Sequence, residues 1–163
     1  GALLNELNKI ESFFLTKNKI TTEEITKLTN LSENHDVSIL IDNCLAKNEK
    51  KTISILNDNN FTNEDSIMIT RILLNKVKKI LSLSKNFEKN KDIDITIKSS
   101  KPPIFWKDKE IVKQQIYKWK SKDLKELIYK INEIELYIKK NINNSINLVI
   151  DFILNNCSNK SNN

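Results

Sequence analysis

Glycine is nearly missing from this chain of 163 residues: there is one, Gly1, and none lies inside the sequence. Phosphate cradles of the Walker type and dinucleotide fingerprints both need backbone that approaches a phosphate without a side chain in the way, so both are excluded. ATP hydrolysis by this chain is therefore not expected. Turns cannot rest on glycine either, and asparagine is expected to take the left-handed positions at helix ends. Proline occurs only at Pro102 and Pro103. With so few breakers, helix is favoured over sheet.

Cysteine is limited to Cys44 and Cys157, with no CxxC spacing and only His35 as a companion ligand. On that count neither a zinc site nor a disulfide framework is expected, and two free thiols are. A nucleophilic Cys44–His35 pair would need the two faces to converge. The bland reading, a solvated imidazole beside Asp36, is preferred. No apolar run approaches the roughly 20 residues that span a bilayer, and no signal peptide is visible. A cytoplasmic fragment with no membrane association is expected, with no catalytic residues, no cofactor and no metal.

Charge is plentiful and of both signs, with lysine supplying nearly all of the positive part. Lys and Arg total 27 against 21 acidic residues, for a net charge of +6 and a pI near 9.2. Such a balance assists approach to nucleic acid by counterion release. Yet Arg71 is the only arginine, and arginine is the usual bidentate reader of guanine and phosphate. A basic surface and a mere excess of Lys, Asn and Ile fit this composition equally.

The apolar spacing is helical along most of the chain. Leu3, Leu4, Leu7, Ile10 and Phe14 form a first stripe, and the Lys17–Lys19 turn leads to a short helix opened by a Thr21/Glu24 capping box. The polar stretch Asn30–His35 is expected to be a turn and a domain boundary. Val37, Leu40, Ile41, Cys44 and Leu45 share a stripe, and Ile53 and Leu56 mark a short helix packed on it as a hairpin. Thr62 with Asp65 opens what is expected to be the longest helix, through Ile67, Leu73, Val77, Ile80 and Phe87. Ile93, Ile95 and Ile97 alternate with polar residues, and an extended linker is expected there, with a small edge strand as the alternative. Ser121 is expected to cap a helix carrying Leu124, Leu127, Ile131 and Ile138. A last helix runs through Ile146, Val149, Ile150, Ile153 and Leu154, followed by a polar tail. The fold class is all-α.

One segment departs from generic helix: "KPPIFWKDKEIVKQQIYKW", Lys101 to Trp119, with both prolines and both tryptophans. The Pro-Pro step forces extended backbone, so the next helix must begin after Trp106, near Lys107 to Glu110. Trp119 continues the stripe of Ile111 and Ile116, which points to core packing. Trp106 stands outside that stripe beside Lys107 and Lys109. This is how an aromatic platform is offered to an unpaired base next to phosphate-binding ammonium groups; a capping or core tryptophan is the competing reading.

The order of "LLNELNKI", "KITTEEITKL", "VSILIDNCLAKNEKKTISIL", "ITRILLNKVKKIL", "KPPIFWKDKEIVKQQIYKW" and "LKELIYKINEIELYIKK" resembles the carboxy-terminal part of the bacterial DNA polymerase III clamp-loader delta subunit, over nearly the whole chain. The resemblance implies the end of an AAA+ small helical lid over residues 1–34, a helical collar for oligomerisation over 35–156 and a flexible tail over 157–163. It implies a non-hydrolysing subunit of the polymerase holoenzyme. Its partners would be other loader subunits through the collar, primer-template DNA in the assembled complex, and the sliding clamp through an amino-terminal domain outside this chain. Trp106, Lys107 and Lys109 become possible DNA contacts, with Pro102, Pro103, Phe105 and Trp119 as the structural motif around them. Two departures stand out: "AKNEKK" replaces the family's glycine-acid turn, with Asn48 expected to do the turning, and the proline usual near the start of the long helix is replaced around Ser66. A second aromatic of some relatives is matched by Ile142. The alternative is a stand-alone basic helical nucleic-acid-binding domain of the transcription-regulator type. Against it, Glu23 and Glu24 would repel phosphate from the first turn of the candidate recognition helix.

Overall fold

A computed structural model describes residues 18–159, and among them there is no strand. The chain divides into two units, residues 1–36 and 37–163. The expected helix from Leu3 to Phe14 and the end of the polar tail lie outside the described residues. In the first unit, residues 18–36 belong to helix α1 (Asn18–Leu45), which continues into the second. Helix therefore occupies Asn18 and Lys19, where a turn was expected, Thr21, expected as a cap, and Asn30–His35, expected as a boundary loop. That stretch is polar but contains neither glycine nor proline, so nothing in it breaks the intrahelical ladder.

The second unit contains the carboxy-terminal end of α1, then α2 (Glu49–Asp58), α3 (Ser66–Asn90), α4 (Ile93–Lys98), α5 (Lys109–Lys118), α6 (Ser121–Lys140) and α7 (Ser145–Cys157). Its main core gathers Val37, Leu40 and Ile41 of α1, Ile69, Leu73 and Val77 of α3, Leu124, Ile131 and Ile138 of α6, and Val149 and Ile153 of α7. Each fully buried side chain of this kind contributes roughly 1.5–3 kcal/mol. The spine role expected of α3 is observed, since it packs most extensively on α6 and also touches α4, α5 and α7. At 25 residues it is nevertheless shorter than the 28 residues of α1.

Several joints differ from the sequence expectation. Among the described residues, the left-handed positions are Lys47 (φ 59°) and Lys91 (φ 57°), not asparagines. Asn48, expected to turn the chain, has φ −84° and uses its side chain to donate to Asn43 Oδ1. Lys47 gains what its backbone gives up: its Nζ donates to the carbonyls of Asn156 and Ser158 at 3.1 and 3.3 Å and sits 4.1 Å over the Trp119 ring. Ile93–Lys98 is a short helix rather than a linker or strand. Asp92 caps it by accepting from the Asp94 and Ile95 amides, and an i, i+4 pair faces inward, with Ile97 buried and Ile93 half-buried while Ile95 is exposed. The alternation was real, but the cap selected the helical period. Ser121 is the first residue of α6 rather than its cap; its amide and Oγ donate to the Glu88 carboxylate at 2.9 and 2.8 Å. These two bonds hold the Glu88 carboxyl below its ordinary pKa. The Thr62/Asp65 capping box is present, with the Thr62 amide donating to Asp65 Oδ2 at 2.7 Å.

A smaller second cluster of Leu83, Ile97, Ile104 and Ile116, with Phe87, Ile93 and Val112 against it, lies where α3, α4 and α5 meet. It anchors the segment between α4 and α5. Among the described residues, no helix is long and apolar enough to cross a membrane.

Candidate functional site

The Lys101–Pro102 peptide is cis, and Pro102 and Pro103 are exposed. After them the backbone is extended, so successive side chains point to opposite sides. Ile104 therefore turns into the second cluster, where it is 8% exposed, while Phe105 turns outward at 57%. Trp106 opens a single 3₁₀ turn, Trp106–Asp108, closed by the Asp108 amide on the Phe105 carbonyl at 2.9 Å, and α5 begins at Lys109. Trp106 is 68% exposed. Its ring lies 5.9 Å from that of Phe105, tilted by 51°, and Lys107 Nζ stands 5.4 Å above its centroid. Trp106 is thus neither a core nor a capping tryptophan, and the three adjacent residues form an aromatic ledge with a cation on it.

Lys101, Lys107 and Lys109 are all exposed around the ledge, against Asp108. The neighbouring carboxylates Asp94 and Glu110 are drawn to Lys113, at 3.4 and 3.5 Å. Hydrogen bonding to Asp94 raises the Lys113 ammonium pKa. Local charge at the ledge therefore stays positive.

Trp119 lies elsewhere. It follows α5 in extended backbone, half-buried against the main core, as its place on the stripe suggested. Its Nε1 donates to the Leu45 carbonyl at 2.7 Å, and its own carbonyl accepts from Ser84 Oγ at 3.2 Å. These two bonds tie the end of α5 to α1 and α3.

Two clefts remain. One of about 70 Å³ lies beside Phe105, with Ile80, Leu83, Ile104 and Val112 below and Lys79 and Asp108 at its mouth. The Lys76–Asp42 ion pair, 2.7 Å, closes one end. Gln115, buried, donates to the Asp42 carbonyl at 2.9 Å and holds that wall. The other, about 430 Å³, is polar and mixed in charge, between Lys47, Lys118, Asp123, Glu126, Lys130 and Asn159. Sequence reasoning missed the outward turn of Phe105, legible only as alternation after Pro-Pro, and missed Lys79 and Asp42, which reach the cleft through tertiary packing.

His35 is exposed on α1 and Cys44 is buried. Both cysteines are free thiols. Burial pushes the Cys44 thiol pKa up, and neighbouring Cys157 adds to the shift. Among the described residues, no group of three or more His, Cys, Asp or Glu gathers that could hold a metal ion. No family model matches this chain, and no curated protein or solved structure matches it.

Proposed function

We propose that this chain is the lid end and collar of a clamp-loader delta-type subunit, a non-catalytic scaffold that joins loader subunits and supports placement of the sliding clamp on primed DNA. Clamp binding belongs to a domain outside this chain. The resemblance in segment order suggests the family. The observation that carries the scaffold role is the outer face of α6, where Tyr129, Leu136 and Tyr137 are 66%, 63% and 57% exposed. Residues seven and eight apart fall on one side of a helix, and three large apolar groups facing solvent together are more than scattered surface hydrophobes require.

The test is assembly. Mixed with the loader ATPase subunits of the same organism, the chain should co-elute in size exclusion at micromolar concentration. The double substitution Tyr129→Ser and Leu136→Ser should abolish co-elution while leaving the far-ultraviolet circular dichroism unchanged. Elution of the unsubstituted chain alone would overturn the proposal.

Within the assembled loader, Trp106 is assigned to stack on an unpaired template base, with Lys107 and Lys109 on flanking phosphates. The same exposed ledge, with the net charge of +6, is what favours the second reading, a stand-alone nucleic-acid-binding domain. The two readings part on the salt dependence of the isolated chain.

A further inference from the structure

We infer that the outer face of α3 is a contact surface for the phosphate backbone of duplex nucleic acid, held without regard to sequence. No residue of the α6 outer face or of the Trp106 ledge enters this inference, so it stands apart from the scaffold reading and from the stacking assigned to Trp106.

The face follows from helical spacing. Lys78, Lys85 and Lys89 fall within roughly 40° of arc on α3, along about 16 Å of its length. All three are exposed, as are Asn75 and Ser82 on the same side. Among the described residues, none of the three ammonium groups has an ion-pair or hydrogen-bond partner. The other cations of the helix differ: Arg71 faces Glu135, Lys76 is held by Asp42, and Lys79 stands at the mouth of the cleft beside Phe105. Glu88 is the only carboxylate in α3. It lies to one side, where Ser121 donates to both of its oxygens and Lys120 and Lys125 stand nearby. The face therefore presents lysines with no acid set among them.

What the face lacks decides the partner. No exposed residue of α3 is apolar or aromatic. A protein partner needs a buried anchor, because exposed charge pairs alone contribute little. A helix lying on a membrane needs an apolar side to bury. An unpaired strand needs rings on which its bases stack. A duplex backbone needs none of these. Its affinity comes from released counterions, with lysine acting on phosphate as a point charge and Ser and Asn side chains bonding phosphate oxygens. Duplex DNA carries one charge per about 1.7 Å of axis, so this line of lysines meets phosphates in any register.

The experiment measures fluorescence anisotropy of a labelled duplex of about two helical turns against the full chain, at several salt concentrations. Three phosphate contacts contribute about −2.7 to the slope of log affinity against log salt. The double substitution Lys78→Gln and Lys85→Gln should make the slope shallower by about 1.8. Lys50→Gln with Lys51→Gln removes the same charge from the exposed start of α2 and should leave the slope unchanged. Should the α3 pair misfold by circular dichroism, Lys85→Gln alone should shift the slope by about 0.9. No binding to the duplex at low salt, or an equal change in the α2 variant, would overturn the inference. So would an equal loss of oligothymidylate affinity in the α3 variant, which would make this a single-strand surface. Displacement of the duplex by polyglutamate or by phosphatidylserine vesicles at lower concentration would assign the face instead to an acidic protein or a membrane.

Discussion

Removing the Trp106 side chain takes away an exposed ring that does not belong to either core cluster, so Trp106→Ala should leave the melting temperature nearly unchanged. If the ring stacks on a template base, the same substitution weakens primer-template affinity of the assembled loader by roughly 1–3 kcal/mol, measured by fluorescence anisotropy. Trp119 inverts this pattern, with its indole N–H committed to Leu45 and its face under Lys47. Cys44 gives a second residue-scale prediction. Its folded thiol pKa lies above the unfolded value of about 8.5, so its contribution to stability is complete below that pH and is lost as pH climbs from there toward the folded value. The unfolded chain has then released a proton that the folded chain retains. By pH ~9.5 the loss is on the order of 1 kcal/mol. Urea unfolding of the unsubstituted chain should show that decline, and Cys44→Ala should show a shallower one. A thiol reagent should likewise leave native Cys44 unmodified at pH 8.

At the scale of elements, the joints between helices are held by side chains borrowed from other helices. Asn63 is the clearest case. Its Oδ1 accepts from the Ile146 amide at 3.0 Å, its Nδ2 donates to the Asn143 carbonyl at 2.8 Å, and its backbone carbonyl accepts from Ser145 Oγ at 3.3 Å. One residue before α3 thus supplies the acceptor at the start of α7. Asn63→Ala should cost about 1–2 kcal/mol in urea unfolding, the size of a lost amino-terminal cap. An unchanged midpoint would show that water replaces the amide. Such borrowed caps explain which parts of the fold were legible in the sequence. Helices α3, α6 and α7 could be read because long apolar stripes and local signals such as Thr62/Asp65 agree. The α6 amino terminus was misassigned to Ser121 because the acceptor there is Glu88, which no local pattern reveals. The short α4 was misread because two isoleucines at helical spacing also satisfy alternation, and the deciding Asp92 cap precedes them. The left-handed turn fell to Lys47 because its ammonium group finds α7 carbonyls that are distant in sequence.

For the whole molecule, the question is whether a charge of +6 makes a nucleic-acid-binding domain or merely a lysine-rich scaffold. Sequence placed Trp106 beside Lys107 after the Pro-Pro step but left a core or capping tryptophan open, and only the exposure of the ring decides between them. Nor could sequence reveal how few lysines accompany the pair, since that depends on which helices surround the ledge. Lys101, Lys107 and Lys109 stand around it in the local sequence. Arg71 faces Glu135 at 3.5 Å, Lys139 faces the same carboxylate at 3.3 Å, and Lys76 is held by Asp42. Counterion release of about 0.7 per phosphate on a single strand then gives, for three lysines, a slope of log affinity against log salt of about −2. An isolated chain acting as a scaffold with one stacking ledge should bind oligothymidylate weakly and with that shallow slope between 50 and 200 mM salt, concentrations at which counterion effects are commonly compared. A slope several times steeper would require a continuous basic face and would favour the stand-alone nucleic-acid-binding reading. If Trp106→Ala lowers the affinity without changing the slope, stacking and charge are separable contributions. If the slope falls as well, the ring also positions the Lys107 ammonium beneath the phosphate, as the 5.4 Å contact allows.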